Sequence, residues 1–177
     1  MRELILFIAM SLDGYIADRT GGVGWLPELS QGVECPDPYT ALTREIDTVL
    51  LGWNTYRQIR SELSPDVWVY RDFTSYVFTR RTPPPEAHIH FTGESPCTLA
   101  ARLKRASGKG IWVCGGAQLA QQLMAADLID RYHISVIPTL LGDGIPLFGK
   151  LKQERKLTLL KAQIYCGITD LVFARRR

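Results

Sequence analysis

Residues 109–127 read KGIWVCGGAQLAQQLMAAD, and the fold is decided here. Ile111, Trp112, Val113 and Cys114 form a short apolar run with the length and branching of a buried strand. Gly115 and Gly116 break it, and residues 117–126 follow with helix formers that set Leu119 and Leu123 on one helical face. The order is strand, glycine pair, helix, which aims a helix N-terminus beyond the end of a sheet strand. Free N–H groups there favour a phosphate, and a residue without a Cβ lets a ligand approach closely. Two glycines after a strand are more often a tight turn than a nucleotide site, so the rest of the chain must decide.

At 177 residues the chain is predicted to be one domain over 1–177, with 46% hydrophobic and 22% charged residues, the balance of a globular protein. Residues 4–10 are apolar but lie between Glu3 and Asp13, too short to span a membrane. The start Met-Arg-Glu lacks the layout of a signal peptide, and a cytoplasmic protein is expected. Cys35, Cys97, Cys114 and Cys166 are widely spaced and read as free cysteines rather than a metal site or disulfides. His88 and His90 share a predicted surface strand without a third ligand, so no metal is expected. The net charge of +3 owes much to Arg175, Arg176 and Arg177, read as a solvated tail. It suits a small anionic ligand, and with no basic helix or interleaved aromatics nucleic acid is not the expected partner.

Residues 4–10 (LILFIAM) suit a strand covered on both faces, followed by Asp13-Gly14 and a glycine-containing loop through Trp25. Residues 38–46 read as a short helix with Asp37 as N-cap and Pro38 at its first position. Residues 47–51 form the next strand, and Gly52, Trp53, Asn54 and Thr55 lead into a helix carrying Ile59 and Leu63. This second strand–glycine–helix junction allows one pyrophosphate to be cradled from two sides. Residues 75–79 and 87–91 are strands, Ser95-Pro96 opens a helix with Leu99 and Leu103 inward, and residues 131–137 form another strand. An apolar loop over 138–148 precedes two strands, 157–165 and 170–174, joined through Gly167 as a hairpin. Alternating strands and helices, then a hairpin, predict a mainly parallel α/β sheet with antiparallel strands at one edge.

MSLDGYIA, DTVLLGWNTY, SYVFTR, WVCGGAQL and PTLLGDGIPLF, in that order and across nearly the whole chain, resemble the dihydrofolate reductase superfamily. The branch they resemble contains the reductase domain of the riboflavin-biosynthesis deaminase/reductase and its stand-alone single-domain relatives. The resemblance implies a three-layer sandwich, a mixed sheet with helices on both faces. It also implies NADPH, with NADH as the alternative, donating hydride to a C=N or C=O carbon of a small heterocycle. Gly52, Asn54 and Thr55 on one side, and Gly115, Gly116, Ala117, Gln118 and Leu119 on the other, then correspond to the pyrophosphate cradle. Thr79 and Arg80 correspond to the adenosine 2′-phosphate site. Ala9, Asp13, Gly14 and Trp25 correspond to the wall of the nicotinamide and substrate pocket, and Ser135 to the support beneath the substrate ring.

Trp53 departs from the family pattern, which carries an arginine there for the 2′-phosphate; Arg57, Arg80 and Arg81 are the compensating cations. The proton-delivering acid is sought at Asp13 and Asp37, although Asp13 also reads as a turn residue and Asp37 as a cap. The most concrete activity implied is that of a 5-amino-6-(5-phosphoribosylamino)uracil reductase. The alternatives are a dihydrofolate or pterin reductase, or a dinucleotide-binding module without turnover. The apolar segment over 140–148 and the final hairpin predict a homodimer.

Overall fold

The computed structural model describes residues 1–27 and 38–176. Its elements in chain order begin with strands Leu4–Ser11 (β1) and Tyr15–Ala17 (β2), helix Pro38–Glu45 (α1), strand Ile46–Gly52 (β3) and helix Trp53–Gln58 (α2). Strands Thr74–Phe78 (β4) and Ile89–Thr92 (β5), helix Pro96–Arg105 (α3), strand Gly110–Gly115 (β6) and helix Ala117–Ala125 (α4) follow. Strands Arg131–Ile137 (β7), Ile145–Pro146 (β8), Leu157–Tyr165 (β9) and Ile168–Arg175 (β10) complete the chain. Eight strands form one sheet in the order β5-β4-β3-β6-β1-β7-β10-β9. All pairings from β5 to β7 are parallel, and β10 runs antiparallel to both β7 and β9. The predicted mixed sheet with a C-terminal hairpin is the one observed.

The apolar run of β1 is explained by its two covered faces. Leu4 and Leu6 pack with Leu99, Leu103, Leu119 and Leu123 of α3 and α4. Ile5 and Phe7 point the other way, into a cluster with Leu42 of α1, Tyr56 of α2, Ile59, Trp68 and Trp112. Alternation along a strand assigns successive side chains to opposite layers, giving helices on both sides of the sheet.

The strands are tied together where they begin. Arg2, its side chain 6% exposed, pairs with Asp47 and donates to Thr48 Oγ1 at 2.6 Å and to the Lys109 carbonyl at 2.6 Å. Lys104 pairs with Asp130 and donates to the Leu128 carbonyl at 2.8 Å, while the Leu4 amide donates to Asp130 Oδ2 at 2.9 Å. Arg175 belongs to this end as well: its guanidinium contacts Asp127 and Asp130, so it is a pinned strand residue and not part of a solvated tail. The C-terminal ends of β1, β3, β4, β5 and β6 are thereby left free for a site.

Three local expectations are corrected. The helix after Thr55 does not continue regularly: residues Ile59–Leu63 form a π turn closed by the Ser64 amide on the Ile59 carbonyl at 2.7 Å. The wider turn keeps Ile59 buried at 5% exposure but swings Leu63 out to 59%. His88 precedes β5 at φ 64°, in a turn, and only His90 lies on the strand, stacked on Tyr76 with ring centroids 5.0 Å apart. Cys97 and Cys114 are free thiols, but Cys166, at the hairpin tip, is disulfide-bonded. Spacing along the chain is silent about a pairing made across the fold.

The π turn makes a measurable distinction. Ile59→Ala should cost about 2–5 kcal/mol in urea unfolding, as deletion of a buried side chain does. Leu63→Ala should stay within about 0.5 kcal/mol, as a surface change; a regular helix with both residues inward would make the two alike.

Candidate active site

β3 and β6 are parallel neighbours, with Leu51 opposite Gly115, so their two exits lie side by side. Each strand passes directly into a helix whose N-cap is glycine, Gly52 for α2 and Gly116 for α4, and neither cap carries a side-chain hydrogen bond. The first-turn amides of both helices are therefore unclaimed by a capping side chain, the condition for holding an anion. The junctions also touch. A Cβ on Gly52 would lie 3.5 Å from the Gly116 nitrogen, and one on Gly116 would lie 3.3 Å from Thr55 Oγ1. Gly115 sits at φ 142°, a conformation L side chains rarely adopt, and the Gly115–Gly116 peptide is cis.

A cleft of about 1190 Å³ runs over these exits. It is lined by Ala9 from β1, by Gly52, Trp53, Asn54 and Thr55, by Thr79 and Arg80 after β4, and by Gly115 through Leu119. Every residue that the sequence proposed for the cofactor thus borders one continuous space. Sequence reasoning missed a third wall: Thr92, Gly93, Ser95 and Pro96, where β5 gives way to α3. The same strand–glycine–helix order was there to be read. It also missed Arg19, Gly21 and Gly22 of the loop after β2, which is fastened to α2 by Gln58 Nε2 donating to the Gly21 carbonyl at 3.0 Å.

The electrostatics of the cleft are mixed, with Arg19, Arg57 and Arg80 against Glu62 and Glu94. Trp53 lies beside Tyr56, ring centroids 5.3 Å apart, and Arg81 stands over the Trp53 ring with its guanidinium carbon 5.4 Å from the centroid. The Trp53 indole thus carries a guanidinium on its face. Cys114 also lines the cleft, donating or accepting at 3.5 Å with the Tyr70 hydroxyl. Burial pushes the Cys114 thiol up to about 11, which keeps it protonated and unreactive at neutral pH.

The other proposed residues that the structure describes stand apart from the cleft wall. Asp13 accepts hydrogen bonds from Ser11 Oγ at 2.6 Å, the Gly142 amide at 2.7 Å and the Leu141 amide at 3.1 Å. The Ser11 hydroxyl first, then these amides, hold its carboxyl below the usual range. It is a clasp between the turn after β1 and the 138–144 loop, ionised at neutral pH and poorly suited to proton donation. Gly14, at φ 91°, closes the same turn and accepts from the Leu147 amide at 2.9 Å. Trp25 packs against a cluster of Ile137, Tyr165 and Ile168 that Ala9 also joins. Ser135 is buried beside Ala9 across the β1–β7 pair and donates to Asp170 Oδ1 at 2.8 Å. Asp37, the other proposed acid and the proposed cap of α1, lies outside the described residues. No helix among the described residues is long and apolar enough to cross a membrane.

The family model of the RibD C-terminal domain matches residues 2–171. Uncharacterized protein YwjB of Bacillus subtilis is 42% identical over 175 residues, which covers 98% of each chain. A Shewanella sp. PV-4 protein described as a riboflavin biosynthesis protein has a crystal structure that superposes with a TM-score of 0.86 at 29% identity, over 99% of each chain. The Thermotoga maritima diaminohydroxyphosphoribosylaminopyrimidine deaminase/5-amino-6-(5-phosphoribosylamino)uracil reductase shares the fold, with a TM-score of 0.69 at 14% identity. That match covers 99% of this chain and 57% of the Thermotoga chain. The chain belongs to the RibD C-terminal domain family, riboflavin-biosynthesis-type reductases with a dihydrofolate reductase-like fold.

Proposed function

We propose that the protein is an NADPH-dependent reductase of a small heterocycle, most concretely of the 5-amino-6-(5-phosphoribosylamino)uracil reductase type, working in the cytoplasm. The observation that carries this is the meeting of two glycine-capped helix starts over one cleft, at Gly52 and at Gly116. A Cβ at Gly116 would crowd Thr55 Oγ1, and that is the closeness a backbone cradle for a pyrophosphate requires. The residues fit the dinucleotide: amides of the two helix starts for the pyrophosphate, Thr79 and Arg80 at the adenosine end, Ala9 beside the nicotinamide. Bound there, NADPH supplies a hydride for an electron-poor C=N or C=O carbon. The protein's own part is to bind, to hold two rings in register and to keep water out. With Asp13 spent on backbone amides, the proton comes from a group other than Asp13.

In this reading Trp53 serves the 2′-phosphate indirectly, by carrying on its ring the guanidinium of Arg81, the residue after the cleft-lining Arg80. A homodimer forms through the hairpin: β9 is the sheet's terminal strand and exposes Leu159, Leu160 and Ile164 at 55%, 58% and 80%.

Adding NADPH to micromolar protein should quench tryptophan emission and enhance that of the nicotinamide; no binding of either NADPH or NADH would sink the proposal. Gly116→Val should weaken NADPH binding by at least about tenfold, the equivalent of one lost hydrogen bond, with the melting temperature as control. Arg81→Ala and Trp53→Ala should each weaken NADPH about threefold to fivefold and leave NADH unchanged, as expected of an exposed ionic contact. Light scattering should return a dimer mass, and Ile164→Asp should return a monomer.

A further inference from the structure

A cluster of polar side chains spans β7, β10 and β9, on the far side of β1 from β6. Asp170 stands opposite Ser135 on β7 and opposite Gln163 on β9, and is 0% exposed. Its carboxylate accepts from Ser135 Oγ at 2.8 Å, from His133 Nε2 at 2.7 Å and from Gln163 Nε2 at 3.1 Å. Apolar residues at these four positions would fill the sheet face without the desolvation that a buried carboxylate costs. The network orders no turn and caps no helix. What it does fix is the hydrogen-bond polarity of two side chains.

A carboxylate only accepts, so the Nε2 atom of His133 carries the proton. In the neutral ring Nδ1 is then a bare acceptor. Ser135 spends its O–H on Asp170, and its oxygen is left as a second acceptor. His133 lies edge-on to Phe7 with ring centroids 4.6 Å apart, and Ser135 is level with Ala9, so both face the same side of the sheet as the two β1 residues. On that side, packed into the cluster that Ala9 joins, is Trp25, whose indole N–H is buried and has no hydrogen-bond partner among the described residues. A buried donor without a partner is costly, and a ligand acceptor removes the cost.

The geometry points to a recognition surface for a cyclic amide edge, an N–H next to a C=O, read by His133 and Ser135 as acceptors and by Trp25 as donor. Asp170 is the positioning residue that sets the His133 tautomer. The inference rests on the proposed use of the cleft, because Ala9 joins the two: it lines the cleft and neighbours Ser135. It adds to that use a rule for which ring edges are accepted. An N-alkylated ring offers no N–H, and leaves the acceptors of His133 and Ser135 unpaired.

The test uses the whole protein, with and without NADPH, and two probes, 6-aminouracil and 6-amino-1,3-dimethyluracil, titrated by calorimetry. The wild type should bind the first at least about tenfold more tightly than the second, the worth of about one hydrogen bond between well-placed groups. Asp170→Asn, whose amide can donate to Nε2 and so shift the His133 proton to Nδ1, should shrink that ratio to about twofold or less. Trp25→Phe should weaken 6-aminouracil about fivefold. Asp170→Asn should bind NADPH as the wild type does. Equal binding of the two probes by the wild type, or binding of neither, overturns the inference. If NADPH still binds in that case, the cofactor reading stands; if 6-aminouracil is preferred but NADPH does not bind, the cofactor reading alone falls. Should Asp170→Asn fail to fold, the comparison of the two probes on the wild type still decides.

Discussion

The cleft depends on one constraint: β3 and β6 are hydrogen-bonded parallel neighbours whose pairing ends with Leu51 opposite Gly115. Side chains alternate along a strand, so a slip of one residue would turn each strand inside out. The pairing shifts by one residue past Cys114 between Leu50 and Leu51, and the layers still hold: Val49 and Leu51 belong to one, Leu50 and Val113 to the other. The same apolar packing that stabilises the domain therefore sets two helix starts at the same height. The absence of a Cβ at Gly52 and Gly116 then lets them touch.

Trp53 brings a cation to the start of α2 without carrying a charge itself. An arginine reaches an anion through its own side chain. The indole instead borrows the guanidinium of Arg81, which stands over its ring. It is itself braced by Tyr56 and Phe91, with centroids 5.3 and 6.5 Å away. The aromatic cluster under α2 thus extends core packing to the rim of the cleft.

Much of the fold was legible because it is written in apolar runs and glycine breaks. Residues 131–137 and 157–165 carry their observed boundaries in the apolar pattern, and the two glycine junctions stand out as a pair. The cleft residues at 52–55 and 115–119 follow from those junctions, while Ala9, Thr79 and Arg80 rest on the family resemblance. What stayed hidden depends on partners far apart in the chain. The Ser135–Asp170 bond spans 35 positions and exists only because β10 returns beside β7. Asp13 looked equally like a turn residue or an acid until the amides of Gly142 and Leu141, more than 120 positions away, were seen to claim it. The π turn after Gln58 escaped because helical periodicity does not register one extra residue.

Arg2 and Lys104, as buried cations, fasten the starting ends of β1, β3, β6 and β7, while at the finishing ends the Asp13 clasp ties only loops to each other. The sheet is in effect clamped along one margin, like the pages of a bound book. Local opening is then graded along each strand, easiest at the free margin and hardest at the spine. Adjustment to a bound ligand can occur where the ligand is, without loosening the element order behind it.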